Sequence, residues 1–249
     1  MDTAADILNS NLSTQISNLS ISASLHLLTE LFPGQVCFST SFSEEDQVIL
    51  HHIVSENLPV NIFTLDTGRM FSETYSVWSA TQEKYGIHIK SYVPDASRLE
   101  AYINQKGPNA FYESVENRKE CCFIRKVEPL KRALAGQKIW ITGIRAEHSG
   151  NRSHLNLVEW DEGNRLNKYN PLLHWNLEQV KRYISENDVP YNILHDRGFV
   201  SIGCQPCTRA IRPGEEFRAG RWWWEDAEKK ECGLHENSNT SLKDWKSGN

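Results

Sequence analysis

The sequence predicts an α/β fold, a mostly parallel sheet flanked by helices, on three observations. Short β-rich runs alternate with helical patterns as far as Gly143, polar loops with Ser, Thr or Gly follow three of the runs, and no internal repeat interrupts the rhythm. A chain of 249 residues with 39% hydrophobic and 24% charged residues can bury a full core. Strands are expected at 35–39, 60–65, 87–93 and 138–142. Between them a helix over 46–56 places Val48, Ile49, Ile53 and Val54 on one side, and a second over 72–85 takes Ser72 as its N-cap. Beyond Gly143 the pattern loosens until a helix over 176–187, with Asn176 as cap and Gln179 three residues on. Residues 198–214, rich in Gly and Pro, read as a loop.

These patterns divide the chain into a flexible, Ser- and Asn-rich lead-in (1–20), a single α/β domain (21–218) and a polar, mobile C-terminal tail (219–249). The net charge of −5 does not advertise nucleic acid or an anionic membrane as partner. No Lys or Arg precedes Arg69 and no apolar run reaches membrane-spanning length, so a cytoplasmic protein with reduced thiols is expected.

Six cysteines carry the strongest chemical signal. Cys121 and Cys122 are adjacent, Cys204 and Cys207 form a C-x-x-C pair, and Cys232 stands apart near the C-terminus. Two close thiol pairs from distant parts of a chain make a metal site, and the spacing leaves zinc and iron–sulfur both open. Cys37, inside Val36-Cys37-Phe38, reads as a small buried hydrophobe. Seven Lys or Arg and only two Glu lie between Arg118 and Lys138, and Arg209, Arg212, Arg218 and Arg221 follow the second pair. Cations around thiols suit a small anionic substrate and favour thiolates.

Three loops at successive strand ends suggest a nucleotide crevice. Ser39-Thr40-Ser41-Phe42-Ser43 runs into a helix start, where free backbone N–H groups favour an anion. No Walker A pattern is present, Glu44 and Glu45 disfavour a triphosphate, and with Asp46 they disfavour a second phosphate nearby. Leu65-Asp66-Thr67-Gly68-Arg69 suits a ribose or adenine edge. Thr142-Gly143-Ile144-Arg145 offers close approach at Gly143 and a phosphate partner in Arg145.

These segments together resemble the assimilatory adenylylsulfate (APS) reductases, the iron–sulfur branch of the APS/PAPS reductase family. The resemblance rests on the Ser-rich loop into Glu45-Asp46, on 65–69, on Cys121-Cys122-Phe-Ile-Arg-Lys126 and on Gly143-Ile-Arg145. Gly203-Cys-Gln-Pro-Cys207-Thr-Arg, Arg218-Ala-Gly-Arg221-Trp222 and Glu231-Cys-Gly-Leu-His235 complete it. Ser43-Glu44 departs from it, standing where relatives often carry Gly-Ala. The resemblance implies an adenine-nucleotide-hydrolase-like fold and a [4Fe–4S] cluster on Cys121, Cys122, Cys204 and Cys207. It further implies reduction of adenylylsulfate to sulfite and AMP, with thioredoxin or glutaredoxin as reductant, through an S-sulfocysteine on Cys232. His235, Lys126, Arg218 and Arg221 would serve catalysis. Ser39, Thr40, Ser41, Leu65, Thr67, Gly143 and Arg145 would bind substrate. No nucleic acid or membrane partner is implied, and a homo-oligomer is compatible. The alternatives are a dual-specificity APS/PAPS reductase and a PP-loop ATP pyrophosphatase with a metal site.

Overall fold

The computed structural model describes residues 11–148 and 155–225, so Cys232 and His235 lie outside the described residues. Strands β1 (Val36–Ser39), β2 (Asn61–Leu65), β3 (Lys90–Tyr92) and β4 (Ile139–Ile141) form inside the four expected ranges. With β5 (Val158–Asp161) and β6 (Leu166–Tyr169) they make one sheet in the order β3-β2-β1-β4-β6-β5. All neighbours run parallel except β5 against β6.

Alternation along each strand feeds two cores. Val36 and Phe38 of β1, with Ile139 and Ile141 of β4, face a core completed by Leu25, Val48, Ile49 and Val180. Cys37 and Trp140 point the other way, onto Leu130 and Leu134. Burial pushes the Cys37 thiol up to about 12, which suits its reading as a small hydrophobe.

Helices α1 (Ile21–Leu31), α2 (Glu44–Ser55), α3 (Ser72–Tyr85) and α4 (Ala96–Lys106) precede β4, as do α5 (Val115–Cys122) and α6 (Glu128–Leu134); α7 (Leu177–Glu186) follows β6. Helix α2 begins two residues before the expected start because Ser43 caps it, its hydroxyl accepting from Asp46 N at 3.2 Å. Ser72 is not the cap of α3 but its first helical residue; Phe71 holds the cap position and gives no side-chain bond. The capping box of α7 forms as expected, Asn176 Oδ1 accepting from Gln179 N and Gln179 Oε1 from Asn176 N, each at 2.8 Å.

Three features depart from the sequence reading. Residues 11–16 are helical, within the frayed or weakly helical lead-in expected, but Leu12 and Ile16, four apart on one face, are buried in the main core. At the other end Trp222 is fully buried inside the stretch read as polar tail. Strands β5 and β6 escape a hydrophobic-pattern search because they bury charge. Lys168 Nζ meets Asp161 Oδ2 at 2.9 Å with both side chains enclosed. Burial would raise the Asp161 carboxyl, but Lys168 and Asn164 hold it below the usual range. Among the described residues no helix is long and apolar enough to cross a membrane.

Candidate active site

The order of the sheet reverses between β1 and β4, the place where doubly wound sheets bind ligands at their carboxyl ends. A cleft of about 280 Å³ opens there. Ser39, Thr40, Ser41, Leu65, Thr67 and Gly143 line it, together with Lys126, Arg218 and Arg221. Nine of the predicted site residues therefore share one cavity.

The loop after β1 is tied by its own acid. Asp46 Oδ2 accepts from Ser41 N at 2.6 Å and from Ser41 Oγ at 2.7 Å. Burial pushes the Asp46 carboxyl up to about 6, against the pull of those bonds. Phe42 takes a left-handed φ of 61° and is held there by stacking on Trp78, ring centroids 5.6 Å apart. Gly143 completes the junction, since a Cβ at that position would stand 2.3 Å from Asp46 Oδ1. Asp46 is thus a brace for the loop, where the sequence suggested only a repulsive charge.

Arg145 is not among the cleft-lining residues. Its Nε donates to Glu45 Oε1 at 2.8 Å and its Nη1 to Glu147 Oε2 at 2.5 Å, and it is 1% exposed. A buried guanidinium beside two carboxylates is satisfied by them, so the phosphate contact expected of Arg145 is replaced by an ion pair one hundred positions apart in sequence. Arg69 likewise turns from the cleft. It donates to Pro108 O and Asn109 Oδ1 and lies over the Phe111 ring at 5.1 Å.

Beside the cleft is a second, enclosed pocket that brings Cys121, Cys122, Cys204 and Cys207 together with Arg69, Phe111, Arg118, Arg125 and Trp222. Lys126 and Cys204 line both cavities and form the wall between them. The first pair closes α5, and a π-helical turn at Phe123–Val127 follows directly. Such turns widen a helix at functional sites. Here the turn buries Arg125, whose Nη1 donates to Thr67 O at 2.6 Å and so fastens the β2 loop to the thiol pair. The second pair flanks a short turn at Gln205–Cys207. Cys204 Sγ and Thr67 Oγ1 lie 3.3 Å apart.

Charge differs sharply from thiol to thiol. Burial and the neighbouring Cys204 push Cys207 up to about 12. Cys204 is buried as well, yet Lys126, the Thr67 hydroxyl, Arg221 and Arg125 together bring it below the usual thiol range. Four thiols thus share one pocket with several cations, and Cys204 is drawn towards the thiolate. No group of three or more His, Cys, Asp or Glu side chains among the described residues is placed to hold a metal ion. The four thiols surround a common space without converging on one point.

Trp222 lines the cysteine pocket. Its ring lies within reach of Arg118, Arg221 and Arg218, at 4.6, 4.8 and 5.8 Å. Arg118 is fixed in turn by a bidentate pair with Glu225, at 2.9 and 2.8 Å. Arg221 packs so closely on Gly203 that a Cβ there would sit 2.4 Å from its Nη2. Sequence reasoning missed His195 of the cleft wall and gave no separate role to Trp222 or Arg118 of the cysteine pocket.

Comparison with known proteins agrees with this arrangement. Residues 35–210 match the family model of the phosphoadenosine phosphosulfate reductase domain. The adenosine 5′-phosphosulfate reductase of Agrobacterium fabrum is 50% identical over 81% of this chain and 78% of its own length. That of Allochromatium vinosum is 47% identical over 90% and 89%. Among solved structures, a phosphoadenylyl-sulfate (PAPS) reductase from Candida auris superposes with a TM-score of 0.71 and 29% identity, covering 85% of this chain and 98% of that one. Yeast FAD synthetase, at 15% identity and a TM-score of 0.53, shares the fold alone, over 84% of this chain and 70% of that one. The chain belongs to the phosphoadenosine phosphosulfate reductase domain family and is an oxidoreductase acting on a sulfur group.

Proposed function

We propose that this enzyme reduces adenylylsulfate to sulfite and AMP through an S-sulfocysteine on Cys232, with a thioredoxin or glutaredoxin as electron donor. The observation that carries the reading is the shared wall. A cleft with polar strand-end loops at one side has Lys126, Arg218 and Arg221 at the other, directly against the four-cysteine pocket. An adenine nucleotide with a sulfate at its phosphate end matches that polarity.

The Cys232 thiolate attacks the sulfate sulfur, the sulfur–oxygen bond to the phosphate breaks, and its electron pair leaves with AMP. Lys126, Arg218 and Arg221 stabilise the negative charge that develops on the departing phosphate. One thiol of the reductant then attacks Cys232 Sγ and sulfite leaves with the electrons of the sulfur–sulfur bond. The second thiol closes a disulfide on the reductant and Cys232 returns as a thiol. Cys232 stands seven positions beyond Glu225, a span of up to ~25 Å when extended. His235 is proposed to assist the thiolate, and Ser39, Thr40, Ser41, Leu65, Thr67 and Gly143 to seat the nucleotide.

Cys121, Cys122, Cys204 and Cys207 are proposed to hold a [4Fe–4S] cluster. A cluster joins its cysteines through several iron and sulfide atoms, so its ligands need not converge on one ion. When bound it supplies a rigid anchor and a local field for the basic residues around it. The test is anaerobic turnover of adenylylsulfate with thioredoxin, read as sulfite and AMP in equal amounts, alongside the iron content of the same sample. Hydrolysis of ATP in place of sulfite release would favour the pyrophosphatase reading.

A further inference from the structure

On the acidic side of the cleft stands a histidine that the proposed reaction does not use. His195 lies in a 3₁₀ turn at Ile193–Arg197. Asn192 fixes that turn, accepting from Leu194 N and donating to Thr74 Oγ1, each at 3.1 Å, and is itself 1% exposed. The His195 side chain is 6% exposed and its Nδ1 lies 3.8 Å from Glu44 Oε2. It lines the cleft with Thr74, Glu45 and Asp46. Its Nε2 is buried and has no hydrogen-bond partner among the described residues.

Buried polar atoms are rarely left unpaired, so a ligand group is the partner this atom fits. Nδ1 faces the Glu44 carboxyl at 3.8 Å, which favours the ring proton on Nδ1. The Nδ1–H tautomer follows, which leaves Nε2 an acceptor. Glu45 and Asp46 line the same side of the cleft and Glu44 stands at the other ring nitrogen, so a phosphate is disfavoured and an uncharged donor is favoured. The apolar lining, Leu65, Leu130 and Trp140, suits the purine. An adenine nucleotide offers uncharged donors at its 6-amino group and at its ribose hydroxyls; with the purine seated on that lining, the ribose is the one left for Nε2.

We propose that His195 Nε2 accepts a hydrogen bond from a ribose hydroxyl of the bound nucleotide, making His195 a substrate-binding and specificity residue. The inference rests on the adenine-nucleotide reading above. It implies that a phosphate on that hydroxyl would remove the donor and meet the acids instead.

The test is anaerobic calorimetry of the full chain with AMP, 2′-deoxy-AMP and 3′-deoxy-AMP, on wild type, His195→Leu and His195→Gln. Wild type should bind AMP about three- to tenfold more tightly than one of the two deoxynucleotides, the range expected for one neutral hydrogen bond. His195→Leu should lose that discrimination, binding AMP and the same deoxynucleotide alike, while His195→Gln restores most of it. Wild type that binds all three equally would overturn the proposal, whether or not the leucine variant folds. So would a leucine variant that discriminates as wild type does. Wild type that binds no AMP would overturn the nucleotide reading first, and this inference with it.

Discussion

At the nucleotide side of the cleft the lining residues follow directly on strands β1, β2 and β4, and two acids brace them, Asp46 on Ser41 of its own loop and Glu45 on Arg145 of the loop after β4. At the cysteine side the lining comes from three separated stretches, 118–126, 203–207 and 218–225, with Arg69 and Phe111 added, and is locked by Arg118–Glu225 and by the arginines around Trp222. The first side is set by local chain geometry and tolerates little change at its turns. The second is set by long-range charge and stacking, and its parts act together.

The comparison predicts unequal consequences. The largest lies with Cys232: Cys232→Ser should abolish sulfite release while AMP binding and iron content stay as in wild type, because a hydroxyl is a far poorer nucleophile. Wild type given adenylylsulfate without reductant should gain a sulfonate on Cys232 by intact mass. Appreciable turnover in the serine variant would remove Cys232 from the chemistry.

Cys204→Ser comes next and should lose iron and activity together, since the four thiols share one pocket. Cys37→Ser is the control, with iron content and activity unchanged and only stability reduced. Full iron in Cys204→Ser would show that the proposed ligand set is wrong.

Two glycines separate the sides. Gly143→Ala drives a methyl against Asp46 Oδ1 and should cost about 1–3 kcal/mol of stability, with weaker AMP binding. Gly203→Ala displaces Arg221 and should lower turnover more than AMP affinity. Equal effects of both on AMP binding would erase the distinction between the two sides.

The substrate preference is smaller in scale. With Arg69 turned onto Pro108 and Asn109, the lining cations are Lys126, Arg218 and Arg221, none on the loops after β1 and β2. A missing charged hydrogen bond costs about 1.5–3 kcal/mol, so PAPS should trail adenylylsulfate at least ~tenfold in kcat/KM. Comparable values would overturn the loop argument and leave the family assignment standing.

The smallest effect is in stability. Burial pushes the Glu44 carboxyl up to about 7. A raised pKa means that the stability carried by the protonated form is full below the unfolded value and is lost as pH rises through about 7. Glu44→Gln should therefore gain Tm relative to wild type as pH goes from about 5 to about 8. A constant difference across that range would place the charge of Glu44 in water.

How legible this was in the sequence follows the same division. Strands β1 to β4 and helices α2, α3 and α7 could be read because their apolar spacing and caps are local. The polar loops after three of those strands pointed to six cleft residues for the same reason. Strands β5 and β6 could not, since Lys168 and Asp161 look like surface residues until they are seen to neutralise each other. The ion pair of Arg145 could not be read because its partner Glu45 lies far away in sequence, nor could the stacking of Arg118 on Trp222, which forms only in the fold. The two cysteine pairs were visible from spacing, but the wall that Lys126 and Cys204 share with the cleft was not.

That wall is the centre of the account, and anaerobic assay of adenylylsulfate reduction tests it most directly. With thioredoxin present, the iron-loaded protein should release sulfite and AMP one for one, and the rate should collapse in Lys126→Ala while the iron remains. Sulfite release that survives unchanged in Lys126→Ala, or none from the iron-loaded wild type, would contradict it.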